Sequence, residues 1–257
     1  MKTLAQIHAI APAFGSLLLF ASLALALGSD TLTTGTFEDV DGPGGSLVIS
    51  STDNRQLAFQ LDAYGANRHT CGLSGTIDGN RGRATATADQ SICLVDFHTM
   101  PNAVNVQING APGNFDACRA FCGARASFDR TYYKPPEGCT RPERQAIYQT
   151  FRHSDEAKEY SRAFADLQRA QAGCGRFFGW IERDRVHNHL ALTLHHLDKN
   201  TKCLTELSKT LASSVDDEAA LHDKFEGEPM SFEEYLPTAR TTWQVRGLCS
   251  GAQRAAP

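Results

Sequence analysis

The chain has 257 residues, of which 41% are hydrophobic and 21% charged, and it carries a formal net charge of −4. These values lie far from disordered, collagen-like or membrane-spanning compositions. A mildly acidic balance gives no electrostatic footprint for nucleic acid or for an anionic membrane surface, and the length suits one large or two small domains.

Residues 1–26 contain one basic residue, Lys2, and no acidic one. An apolar run with small residues interleaved, Leu17 to Leu25, leads to Ala24-Leu25-Ala26. A basic start, an apolar middle and a small-x-small end form the plan of a secretory signal peptide. The apolar run is shorter than the ~20 residues that span a bilayer. We therefore expect export, to a bacterial periplasm, and no membrane span in the mature chain. Loss of Lys2 takes the net charge to −5.

Residues 30–133 read as a β domain. Leu57, Phe59, Leu61 and Ala63 alternate with Gln60, Asp62 and Tyr64, and Val104, Val106 and Ile108 alternate with Asn105, Gln107 and Asn109. Leu47-Val48-Ile49 is a β-branched run, and Ala84-Thr85-Ala86-Thr87 alternates again. Period two buries one face and wets the other. Turn residues at 41–45, 53–54, 78–80 and 109–113 separate these runs. The spacing predicts an antiparallel β-sandwich or small barrel. Residues 116–123 are expected to form a short helix or tight loop, and Ala124 to Tyr133 a final strand.

Pro135-Pro136-Glu137-Gly138 then breaks the chain, because proline fixes φ and lacks an N–H; residues 134–138 are expected to be a linker. From 139 to 249 the period becomes helical. Thr140-Arg141-Pro142-Glu143 is a capping-box pattern for a helix over 141–151. Ser154 is expected to cap a second helix reaching Ala172, and residues 176–197 form a third. A fourth carries Cys203, Leu204, Leu207 and Leu211, and residues 215–224 suggest a short acidic helix. Ser231-Phe232-Glu233-Glu234 opens a last helix near Cys249, with Pro237 inside it. Residues 250–257 form the tail.

The eight cysteines are Cys71, Cys93, Cys118, Cys122, Cys139, Cys174, Cys203 and Cys249, and none lies in the leader. An even number behind a signal peptide reads as a disulfide framework. Four precede residue 130 and four follow it, so each half is expected to be stapled within itself. Many connectivities are open; our expected set is Cys71–Cys93, Cys118–Cys122, Cys139–Cys174 and Cys203–Cys249. A zinc site at Cys118 and Cys122 lacks the other ligands it needs.

Asn188-His189-Leu190-Ala191, then Leu197-Asp198, Cys203 and Leu211, resembles a tetratricopeptide-type helical hairpin, with Asp198 where the family has a turn glycine. Residues 141–172 resemble an earlier, degenerate repeat through Tyr148, Tyr160 and Ala163, and Tyr235, Ala239, Trp243 and Leu248 then lie on a capping helix. The resemblance spans roughly residues 140–249 and implies an α-helical repeat-like bundle with a protein- or peptide-binding surface. Trp180-Ile181-Glu182-Arg183-Asp184, without the cysteine expected after it, also resembles periplasmic lysozyme-inhibitor-like domains.

Catalytic signatures are weak. There is no nucleophile-elbow GxSxG motif and no phosphate-cradling glycine loop. His187, His189, His195 and His196 lack the metalloprotease spacing, so no metal and no cofactor is expected. Glu182, Arg183, Asp184 and Arg185 read as a solvated charge run, Asp216-Asp217-Glu218 as favourable charge at a helix start, and residues 39–45 as a Gly/Pro turn rather than a calcium loop. The functional expectation is a non-catalytic, exported protein-interaction module, acting on another envelope protein and using Phe177, Phe178, Trp180 or Trp243 as contacts. An inhibitor of a secreted cell-wall hydrolase is the alternative, and an envelope enzyme a third reading.

Overall fold

The computed structural model describes residues 31–86 and 90–251. The signal-peptide reading of residues 1–26, Thr87, and most of the 250–257 tail fall outside the described residues. No described helix is long and apolar enough to cross a membrane.

The first half is an eight-stranded antiparallel barrel whose strands follow chain order: β1 (Gly35–Glu38), β2 (Gly45–Ser51), β3 (Leu57–Tyr64), β4 (Thr70–Asp78), β5 (Arg81–Thr85), β6 (Ile92–Met100), β7 (Ala103–Ile108) and β8 (Arg130–Tyr133). The barrel alternative is thus the one adopted. Two-residue turns at Gly79–Asn80 and Pro101–Asn102 link β4 to β5 and β6 to β7. Eight strands leave an interior just wide enough for side chains. Here it is filled by inward residues such as Leu47, Phe59, Leu61, Val95, Phe97 and Tyr132, with the Phe59 and Phe97 rings edge to face at 5.2 Å. Gly82 is small because a Cβ there would lie 2.6 Å from Phe97 and 2.7 Å from Val95.

A short helix, α1 (Asn114–Arg119), packs against β6 and β7. Its first residue, Asn114, accepts from the Leu94 N–H and donates to the Leu94 and Asn109 carbonyls. Cys118 then bonds Cys93 on β6, and Cys122 bonds Cys71 on β4. The expected Cys71–Cys93 and Cys118–Cys122 bridges are therefore wrong. β5 lies between β4 and β6, and the α1 segment sends each of its two cysteines to a different strand.

The described residues of the second half form six α-helices: α2 (Arg141–Glu156), α3 (Tyr160–Cys174), α4 (Trp180–His196), α5 (Asn200–Leu207), α6 (Glu218–Lys224) and α7 (Pro229–Ser250). The Thr140 capping box is present. Ser154 caps nothing; it is buried inside α2, which runs on to Glu156. Ser231 likewise sits within α7, which begins at Pro229. Asp217 does cap α6, its carboxylate accepting from the Ala220 N–H. α4 is the central helix, packed against α3, α5 and α7. Burial reaches several of its faces through Ile181, Val186, Asn188, Leu190, Ala191 and Leu194. Cys139–Cys174 ties the entry of α2 to the end of α3, and Cys203–Cys249 ties α5 to the end of α7. Four disulfides fit an oxidising, exported environment.

Two groups of contacts join barrel and helices. In the first, Arg144 of α2 pairs with Glu38 of β1 at 3.0 Å. Arg176 reaches Asp41 at 3.7 Å, and its guanidinium stands 4.0 Å over the Tyr133 ring of β8. Glu38 and Tyr133 are also the register pair through which β1 meets β8 and the barrel closes. In the second, Asn67, with φ of 55°, turns the 66–68 segment onto α7. Its side chain accepts from the Met230 N–H at 2.8 Å, and its own N–H donates to Ser231 Oγ at 3.1 Å. The barrel thus supplies a cap for the last helix. Arg125 donates to the Gly227 carbonyl and Arg68 pairs with Glu234.

Candidate functional site

A cleft lies between barrel and helices and has two lobes, of about 490 and 810 Å³. They share a waist formed by Pro43 and Tyr64 from the barrel and Arg141, Trp180 and Glu234 from the helices. Both lobes open to solvent. Lobes of this volume are ordinary for a small ligand or a few residues of peptide.

Trp180 opens α4 and is 36% exposed; Tyr64 ends β3 and is 39% exposed. These are the only exposed aromatics lining the cleft among the described residues. Trp180 stacks on Tyr235 at 5.1 Å between ring centroids and approaches Phe225 at 6.0 Å. Tyr235 is fixed from behind: its hydroxyl donates to Asp184 at 2.5 Å and accepts from the Ala212 N–H at 2.9 Å. Burial, then the hydrogen bond and charge of Asp184, push the Tyr235 phenol far above its ordinary pKa, so it stays a neutral donor.

The smaller lobe is the more ionic. Arg144 sits at its wall, bonded to Glu38, to Glu182 at 3.3 Å and to the Cys139 carbonyl at 2.7 Å. Tyr148 donates to the Glu182 carbonyl, and burial followed by the Glu182 charge raises its pKa. His189 lines the same lobe, its ring 4.8 Å from Phe151. Burial lowers its pKa, and so favours the neutral imidazole. The larger lobe is more apolar, with Leu211 and Phe225 in its wall.

The turn over 39–45 is held by Asp39, whose buried carboxylate accepts from the N–H groups of Asp41, Gly42 and Gly44 and pairs with Arg130 at 2.6 Å. A Cβ at Gly42 would fall 2.5 Å from that carboxylate. Pro43 and Gly44 are thereby presented at the cleft.

Of the four aromatic contact candidates, Trp180 lines the waist. Phe177 and Phe178 are buried; Phe177 also stands in the wall of the smaller lobe, and Phe178 lies in the core with Cys174 and Leu190. Trp243, on α7, donates its indole N–H to the Ala212 and Val215 carbonyls and packs against the cluster that holds Ala212 and Leu221 of α6. Phe178 and Trp243 serve packing. The 182–185 charge run is solvated only in part: Arg183 and Arg185 are exposed, but Asp184 is buried and accepts from the Leu211 N–H, and the half-buried Glu182 pairs with Arg144. Two carboxylates on one helix point inward because each meets a donor from another element. The histidines disperse: His187 bonds Glu206 at 2.7 Å, His195 bonds Asn200, and His196 stacks on Tyr160 at 4.3 Å. No group of three metal-ligating side chains occurs among the described residues.

Sequence reasoning missed Tyr64, Arg141, Arg144 and Glu38. Tyr64 was legible as a wet-face residue at a strand end, and Arg141 as the residue after a cap. Nothing local marks Arg144 or Glu38, whose pairing spans two units. Comparison with protein-family models, with curated proteins and with solved structures gives no match to this chain.

Proposed function

We propose that this is a non-catalytic binding protein, exported to a bacterial periplasm, that holds an extended segment of a partner protein in the cleft between its barrel and its helices. The observation that carries this reading is the pair Trp180 and Tyr64, one from each unit, exposed at the waist of a two-lobed cleft. Tryptophan and tyrosine offer large contact area at low entropic cost and dominate protein-binding hot spots. Trp180 is backed by a fixed Tyr235, so it is pre-organised. Two helical hairpins, α2–α3 and α4–α5, support a repeat-like scaffold behind it. The carboxylates Glu38, Asp39, Glu182 and Glu234 of the smaller lobe are each engaged by an arginine, which favours holding over turnover.

The test is peptide display against the oxidised mature chain, followed by calorimetry of enriched peptides on the wild type, Trp180→Ala and Tyr64→Ala. We expect micromolar binders that lose at least about tenfold in affinity with either variant, while the melting temperatures of the variants stay close to wild type. Failure to enrich any peptide, or binders indifferent to both substitutions, overturns the proposal.

A further inference from the structure

We infer that the cleft reads the free C-terminus of its peptide, with the terminal carboxylate on Arg141 and the last, apolar side chain in the larger lobe; this rests on the peptide-binding reading above.

The charges around the cleft are paired, with few exceptions. Glu38 and Glu182 share Arg144, Asp39 holds Arg130, and Glu234 holds Arg68. Arg185 donates to Thr238. Arg141 lines both lobes and has no ion pair or side-chain hydrogen bond among the described residues. Its nearest acidic neighbour in sequence, Glu143, is turned back onto Thr140, accepting from its N–H at 2.8 Å and from its hydroxyl at 2.6 Å. A guanidinium left free at a waist that also carries Trp180 and Tyr64 suits a carboxylate, which it binds through two parallel hydrogen bonds. Position at the first residue of a 16-residue helix adds favourable potential for a negative group.

Glu228 fixes the direction. It lines only the larger lobe and has no ion pair among the described residues. Arg68, the cation that lines only the larger lobe, is engaged by Glu234, so a carboxylate is favoured at the waist, beside Arg141, and disfavoured beside Glu228. That lobe, walled by Leu211, Phe225 and Trp180, suits an apolar side chain instead. The preceding peptide then runs through the smaller lobe, where Gln145 and Tyr148 stand at the wall. Capture of a terminal carboxylate is an established mode of peptide recognition.

The test uses two fluorescein-labelled hexapeptide libraries, each ending in Phe, one as the free acid and one as the C-terminal amide, titrated by anisotropy into the oxidised mature protein. We expect the acid to bind at least tenfold more tightly. Arg141→Gln should abolish that difference, and Arg141→Lys should keep part of it. Trp180→Ala should weaken both libraries. Equal binding of acid and amide, still weakened by Trp180→Ala, overturns terminal recognition and leaves the peptide-binding reading standing. Absence of binding by either library, together with failure of peptide display, overturns both. Preferential binding of decanoate over every peptide acid would assign the carboxylate site to a fatty acid and overturn the proposal as well.

Discussion

Arg144 and Glu38 form an ion pair across the boundary between helices and barrel, at 3.0 Å, with side chains only 4% and 7% exposed. Breaking one side of such a pair leaves an uncompensated buried charge, which costs about 3–5 kcal/mol. Arg144→Met is therefore expected to lower unfolding stability by roughly that amount. The double variant Arg144→Met with Glu38→Leu should recover part of the loss, because it removes the Glu38 charge but leaves Glu182 and the Cys139 carbonyl without their partner. Urea titrations of the three proteins measure this.

Tyr235 joins Asp184, the Ala212 N–H and the underside of Trp180. Tyr235→Phe keeps the stacking surface and removes the hydroxyl, so a buried donor and a carboxylate oxygen each lose a partner. The expected loss is about 1–3 kcal/mol. Denaturant midpoints give the energy, and a shift in tryptophan emission would report movement of Trp180. An unchanged midpoint would mean that water replaces the hydroxyl.

Burial lowers the His189 pKa below the ordinary 6.5; Asp155 opposes the shift and Arg185 and Arg152 add to it. The unfolded chain therefore takes up a proton near pH 6.5, while the folded chain does so only at lower pH. Stability from this group is full above pH 6.5, falls as pH drops below it, and levels off once the folded pKa is passed. Glu206 acts in a lower window. Burial works against its ionisation, but hydrogen bonds from His187 and Lys209 outweigh it and lower its pKa below 4.5. Its contribution is present above pH 4.5 and is lost as pH falls further. Urea midpoints between about pH 7.5 and 5.5 should decline for the wild type and decline less for His189→Leu.

Non-reducing digestion and mass spectrometry should recover Cys71 with Cys122 and Cys93 with Cys118, and no peptide joining Cys118 to Cys122. Replacing Cys93 and Cys118 together by serine should cost about 2–4 kcal/mol, since this bridge holds α1 to β6.

Local pattern carried much of the fold. The alternation at 57–64 and 104–108 and the break at 135–138 were visible because each depends on neighbours in sequence. β4 and β6 were harder to see. β4 carries glycines at 72 and 75, where side chains would have marked the period, and Gly75 is small because a Cβ there would meet the Arg83 carbonyl. β6 mixes Asp96 and His98 into an otherwise apolar run. The helix breaks at 157–159 and before Pro229 were misplaced because serine followed by acids looks like a cap anywhere. Here Ser154 is held in the core, and the α7 cap comes from Asn67, more than 160 residues away. The site was least legible, because the cleft exists only where two units meet.

The barrel closes through Glu38 opposite Tyr133, and the helices hold both: Arg144 grips the first, and Arg176 covers the second. An exposed strand edge is a template for association with other chains, and this seam is where the barrel would acquire one. The helical half is thus also a guard against self-association, and a barrel cut free before Pro135 should open at β1 and β8 and oligomerise.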